Sequence, residues 1–159
     1  MGWSWRQNPK VDDDMQKGYL AWGLGNLTEA MNDYEDALML KPDETDALNF
    51  LGTIYEEMGL PAKAQEKYLT ALSIDKEFLP AYFNLGMLYW NQGDPSKAAY
   101  YFQKRVQYGD PSDSWTMQAQ RALQKIQPSQ TGPTTDKISD SEDLQRRILI
   151  KRVLDRMDQ

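Results

Sequence analysis

Residues 45–78 read TDALNFLGTIYEEMGLPAKAQEKYLTALSIDKEF, and residues 79–112 repeat their plan as LPAYFNLGMLYWNQGDPSKAAYYFQKRVQYGDPS. Glycines fall 34 residues apart at Gly18, Gly52 and Gly86, and again at Gly25, Gly59 and Gly93. Ala30, Ala64 and Ala98 keep the same interval, as do the aromatics Tyr34, Tyr68 and Phe102. Leu51 with Leu85, Tyr55 with Tyr89 and Ala37 with Ala71 add further columns. One column can arise by chance. Many columns sharing one period mark a chain built from repeated units.

Each unit predicts two helices. Between Thr45 and Met58, the apolar residues Leu48, Leu51, Ile54 and Tyr55 recur at the three- and four-residue intervals of one helical face. Gly59 then supplies the positive φ that ends a helix at little cost, and Pro61 sits where a new helix accepts proline in its first turn. Ala64, Tyr68, Ala71 and Leu72 form the second face. The next unit repeats this with Tyr82, Leu85, Leu88 and Tyr89, then Gly93, then Asp94 as N-cap and Pro95 at the first helical position. Asn26 occupies the N-cap column of the first unit. Small residues at Gly52/Gly86 and Ala64/Ala98 stand where two helices must approach closely.

These units resemble tetratricopeptide repeats. The family pattern of a large residue, Leu-Gly, an aromatic, Ala, a second aromatic and another Ala reads here as Leu48, Leu51-Gly52, Tyr55, Ala64, Tyr68 and Ala71. The third unit gives Tyr82, Leu85-Gly86, Tyr89, Ala98 and Phe102. The resemblance implies an all-α fold, a right-handed superhelical solenoid of antiparallel helix pairs. It places an N-terminal extension at residues 1–10 and repeats at 11–44, 45–78 and 79–112. Repeat 1 departs from the pattern with Asp14, Lys17 and Ala21, and Arg105 replaces the second Ala of repeat 3. Only repeat 1 keeps the closing proline, Pro42. A polar first helix suits a terminal repeat that no preceding unit covers. Residues 113–127 continue in register as a capping helix, which a solenoid needs to cover its last apolar face. Residues 128–138 have linker composition, and 139–159 form an amphipathic helix.

Composition excludes much chemistry. The chain has 159 residues, no histidine and no cysteine. Ser-His-Asp and Cys-His nucleophile systems, zinc sites built on Cys or His, and iron–sulfur clusters therefore have no ligands here. There is no Gly-rich phosphate loop, and Asp12-Asp13-Asp14 and Glu56-Glu57 lack the calcium-loop pattern, so neither a cofactor, a metal nor catalysis is expected. The net charge of −6 argues against a nucleic-acid partner. No apolar run is long enough for a membrane span and no signal peptide is visible. The compartment is cytoplasmic by default, with a processed periplasmic or exported form left open.

Family geometry implies that the first helix of each repeat lines a concave face that holds a peptide or protein segment. On that face it places Met15, Tyr19 and Trp22 from repeat 1, with Asn49, Phe50 and Thr53 from repeat 2. Repeat 3 supplies Phe83, Asn84, Met87 and Trp90, and the capping helix Met117 and Arg121. Trp and Tyr concentrate binding energy and Met adapts to varied partners, although some of these side chains would serve equally in helix–helix contacts. An acidic rim of Asp12, Asp46, Glu56 and Glu57 would surround them, since residues 11–112 carry 8 basic against 17 acidic side chains. A basic, amphipathic or aromatic segment is the expected ligand. The family's carboxylate clamp uses Lys, Asn and Arg from columns where this chain has Met15, Tyr19, Phe50, Pro80 and Asn84; its basic residues are missing, so chaperone-tail capture is not expected.

The last helix is itself such a segment. Leu149, Ile150, Val153 and Leu154 form an apolar stripe bordered by Arg147 and Lys151. It could dock on its own repeat body or on a neighbouring copy, making a self-assembling scaffold. A membrane-surface helix and a tail that orders on binding are the competing readings, the former weakened by acids at both ends. Trp3 and Trp5 are expected to cover the first repeat, and Asn26-Leu27-Thr28 matches a glycosylation acceptor whose Asn already has a capping role.

Overall fold

A computed structural model describes residues 8–126. Among these residues the chain forms seven helices and no strand: α1 Pro9–Gly23, α2 Leu27–Leu40, α3 Thr45–Glu57, α4 Pro61–Ile74, α5 Leu79–Asn91, α6 Pro95–Tyr108 and α7 Ser114–Ile126. Consecutive helices pack on each other, most extensively within the pairs α1–α2, α3–α4 and α5–α6, and α7 packs on α6. Among the described residues no helix is long and apolar enough to cross a membrane.

The turn inside each pair has one cause. Gly25, Gly59 and Gly93 hold φ of 79°, 74° and 76°, the left-handed region open to glycine. The next residue's N–H then reaches back five positions: Asn26 to Ala21 O, Leu60 to Tyr55 O and Asp94 to Tyr89 O, each 2.8–2.9 Å. This closes the otherwise unpaired carbonyls of the first helix and turns the chain sharply into the second. Asp94 then caps α6, its Oδ1 accepting from Lys97 N at 3.0 Å. Asn26 differs from the expectation: it stands at the N-cap of α2, but its side chain makes no cap bond and donates instead to Glu29 Oε2 at 3.4 Å. Helix α1 starts earlier than the repeat boundary drawn from the sequence, because Asn8 accepts from Lys10 N and Pro9 takes the first position.

The core is a ladder of the 34-residue columns. Tyr34, Tyr68 and Phe102 are fully buried, as are Ala30, Ala64 and Ala98 beside them. Leu51, Ile54 and Leu85 fill the space between pairs, each worth about 1.5–3 kcal/mol of burial. Asp14 corrects the reading of α1 as polar because it is uncovered. It is 6% exposed, and its column mates Leu48 and Tyr82 are buried too. The column faces inward in every repeat, so its burial does not depend on a preceding unit.

The three aromatics differ at one atom. The Tyr68 hydroxyl donates to Glu56 Oε1 at 2.6 Å and lies 3.3 Å from Thr53 Oγ1. The columns of those two partners hold Tyr19 and Trp22 in repeat 1, and the buried Tyr34 hydroxyl has no partner among the described residues. Burial pushes its pKa up to about 12. In repeat 3 the same columns hold Met87 and Trp90, and the aromatic is Phe102, without a hydroxyl. Two substitutions of the same kind therefore have different outcomes. Tyr68→Phe costs about 1 kcal/mol of stability because it strips a half-buried carboxylate of its donor, whereas Tyr34→Phe is neutral or stabilising. Urea unfolding of both variants checks the contrast.

Candidate binding groove

Helices α1, α3, α5 and α7 share one face of the stack, and two adjoining clefts open on it. The larger, of about 680 Å³, takes Trp22 from α1, Asp46, Asn49, Phe50 and Thr53 from α3, and Leu79, Pro80, Phe83 and Asn84 from α5. Arg105, Asp113 and Trp115 close its far end. The smaller, of about 290 Å³, lies between Phe83, Met87 and Trp90 of α5 and Gln118, Arg121, Ala122 and Lys125 of α7, with Phe102 at its base. Phe83 belongs to both and divides them.

An aromatic floor connects the repeats. The Phe50 ring stacks on Tyr34 at 5.4 Å between centroids and meets Trp22 at 5.9 Å and Tyr19 at 6.4 Å. Phe83 meets Trp115 edge-on at 5.0 Å and Phe102 at 5.8 Å. Polar bonds cross the same seams. Asn84 Nδ2 donates to Asn49 Oδ1 at 2.8 Å, and Trp22 Nε1 donates to Glu57 Oε1 at 2.9 Å.

The residues named from the sequence separate into classes. Trp22, Asn49, Phe50, Thr53, Phe83 and Asn84 line the larger cleft, and Phe83, Met87, Trp90 and Arg121 the smaller. Met15, Trp22, Phe50, Phe83 and Met87 are half-buried and pack on the core as well. Tyr19 at 60% and Trp90 at 42% are the exposed aromatics among them. Met15, Tyr19 and Met117 line neither cleft, although Tyr19 overhangs Phe50. Asn49 is buried and its amide oxygen is taken by Asn84, so these two residues are bonded to each other across repeats.

The acidic rim is less uniform than charge counting implied. Asp12 is exposed away from both clefts. Asp46 borders the larger one, its pKa raised by burial and by repulsion from Glu44, with Lys41 opposing. Glu56 is half-buried, and burial raises its pKa against the lowering effect of the Tyr68 bond. Glu57 is held by Trp22. The expected docking helix, with Arg147, Leu149, Ile150, Lys151, Val153 and Leu154, lies outside the described residues, as do Trp3 and Trp5.

Sequence reasoning left Leu79, Arg105, Asp113, Trp115 and Lys125 out of the groove. Arg105 carried a visible signal, a charge in the column of Ala37 and Ala71. It is 4% exposed, with Nη1 donating to Thr116 Oγ1 at 2.9 Å and Nη2 paired with Asp113. Trp115 stands in the column of Ala47 and Ala81, which are buried, yet is itself 52% exposed.

Tetratricopeptide-repeat models match residues 15–80 and 79–107, together more than half the chain. The chain belongs to the tetratricopeptide repeat family. It is 28% identical over 122 residues to human tetratricopeptide repeat protein 6, covering 72% of this chain and 23% of that protein. The chain spans only 8–23% of the length of the curated relatives it matches, two of which are transferases. Among solved structures, the first tetratricopeptide repeat domain of Spaghetti, bound to the HSP90 peptide SRMEEVD, has a TM-score of 0.68 at 17% identity. That likeness covers 79% of this chain and 97% of that one. The Yersinia enterocolitica secretion chaperone SycD, in complex with a peptide of the translocator YopD, has a TM-score of 0.71 at 12% identity. It covers 77% of this chain and 95% of that one. Both likenesses speak to fold alone.

Proposed function

We propose that the chain is a protein–protein interaction adaptor or scaffold that takes a peptide or protein segment across the face of α1, α3, α5 and α7. The observation that carries the reading is the aromatic floor bordering a cleft of about 680 Å³, a volume within the range of ligand sites, ~300–1,000 Å³. Large aromatic side chains held rigid beside an apolar cleft are where interfaces concentrate their energy. An amphipathic or aromatic segment fits this floor, and Asp46 at its border favours a basic residue on the ligand at that end. The family's chaperone-tail mode does not fit, because its Lys, Asn and Arg columns hold Met15, Tyr19, Phe50, Pro80 and Asn84, with no basic residue among them.

The choice of variants for a test follows from packing. Phe50 and Phe83 also support Tyr34 and Phe102, so removing them confounds binding with stability. Tyr19 and Trp115 are more than half exposed and are the cleaner probes. Peptides selected from a displayed random library on the intact chain are expected to bind Tyr19→Ala and Trp115→Ala about ten-fold more weakly, the loss usual for an aromatic anchor. Selected peptides that bind both variants as tightly as the parent chain would remove the groove assignment.

A further inference from the structure

The face expected to carry an acidic rim changes sign along the stack. One column runs Glu57, Asn91, Lys125, and the adjoining one runs Thr53, Met87, Arg121. In these two columns the one acid belongs to the middle repeat and both bases to α7. The structure brings both bases to one place: Gln118, Arg121, Ala122 and Lys125 form a stripe on α7 that faces Phe83, Met87 and Trp90 of α5 across the smaller cleft.

Two like charges four residues apart on one helix repel each other. Neither Arg121 nor Lys125 makes an ion pair among the described residues, and both are exposed. Lys125 lies in the last turn of α7, where the helix dipole favours a cation. That account does not reach Arg121, which is more than one turn from the helix end. Cations beside a concave apolar wall act on a ligand more strongly than cations on an open surface, because the wall excludes solvent and focuses the field.

We infer that the smaller cleft is an anion-selective subsite of the groove, taking an acidic side chain that directly adjoins an apolar anchor of the bound segment. The anchor rests on Phe83, Met87 and Trp90, and the carboxylate on Arg121 and Lys125. Together with Asp46 in the larger cleft, this gives the groove a polarity. A ligand lies with its acidic end over α7 and its neutral or basic end over α3, and the reverse orientation puts its acid against Asp46, with a second like-charge contact at α7 where the other end is basic. The inference rests on the groove reading above and adds to it the charge and direction of the partner segment.

The test pans one displayed library of random peptides on the intact chain and on Arg121→Glu/Lys125→Glu, with urea unfolding as the folding control. Peptides recovered on the parent chain are expected to carry Asp or Glu beside an apolar pair. Replacing that acid by Lys in the synthetic peptide is expected to weaken binding about ten-fold, the steep penalty of juxtaposed like charge. On the doubly reversed chain the preference inverts. Peptides that lose affinity on Tyr19→Ala and Trp115→Ala, yet bind the reversed chain as well as the parent, would overturn the anion subsite and leave the groove standing. Recovery of no peptide on the parent chain would overturn both.

Discussion

Arg105→Ala is expected to lower the free energy of unfolding by about 3 kcal/mol, seen as a fall in the urea midpoint at unchanged slope. The side chain is 5% exposed and ties α6 to α7. One nitrogen donates to Thr116, itself fully buried, and the other pairs with Asp113. Removing one member of a buried pair leaves the other uncompensated, at a cost of about 3–5 kcal/mol. Asp113 is one-third exposed and recovers some hydration, which puts the loss at the lower end. Arg105→Met keeps most of the volume and is expected to recover part of it. Gly109→Ala should reproduce the defect without touching a charge. A Cβ there would collide with the Arg105 guanidinium and the Thr116 hydroxyl. Because Arg105, Asp113 and Trp115 close one end of the larger cleft, the same variants should weaken peptide binding.

Asp113 also sets an acid dependence. Burial works to raise the Asp113 pKa, but bonds from the backbone and hydroxyl of Thr116 and the backbone of Trp115, with the Arg105 charge, outweigh it and hold it below the ordinary value. A depressed folded-state pKa contributes stability that is complete above the unfolded value, near pH 4, and is lost as pH falls through the folded one. Stability of the parent chain should therefore drop more steeply below about pH 4 than that of Asp113→Asn. Equal acid limbs for the two would remove the titration of Asp113, and with it the Thr116 and Trp115 bonds that hold its pKa down, from the account.

The period of 34 made the fold legible because the columns that repeat are those that cannot vary: a positive φ at Gly59 and Gly93, and a close approach at Gly52 and Gly86. These are local backbone and steric demands, visible without knowing the neighbours. The cleft walls were legible in the large aromatics Phe50 and Phe83 on the first helices, although their columns do not repeat: Asn84 shares the column of Phe50 and Asn49 that of Phe83. It was not legible where a residue's role depends on the end of the stack. Trp115 shares a column with buried alanines, but among the described residues no pair follows α7 to bury it. Lys125 counted as one charge in a sum, and only the juxtaposition of α5 and α7 makes it part of a cleft. Asp14 looked polar and therefore outward, whereas the geometry of a helix pair buries that position in every repeat.

Gly52→Ala and Gly86→Ala are each expected to destabilise the protein by about 1–2 kcal/mol, although alanine is the better helix former by about 1 kcal/mol. The sign is decided by two rings. A Cβ on Gly52 would stand 2.5 Å from Tyr68 Cε1, and one on Gly86 would stand 2.6 Å from two ring carbons of Phe102. Both distances are far inside van der Waals contact, and both rings are fully buried, so each must push packed neighbours aside to yield, Phe102 with somewhat more room because it borders the smaller cleft. Overpacking of this kind costs typically about 1–3 kcal/mol, and a clash so close belongs near the top of that range. Subtracting the helix gain leaves a net loss. Gly18→Ala provides the contrast. Its Cβ would meet the Tyr34 ring at 3.0–3.1 Å, several tenths of an ångström farther away, in the first pair, where one flank has no neighbouring repeat among the described residues. There the helix gain offsets most of the strain, and stability should change by less than about 0.5 kcal/mol. Urea midpoints in the order Gly18→Ala above Gly52→Ala and Gly86→Ala are the expected result. Equal midpoints for all three would mean that the approach of the paired helices is looser than these contacts require.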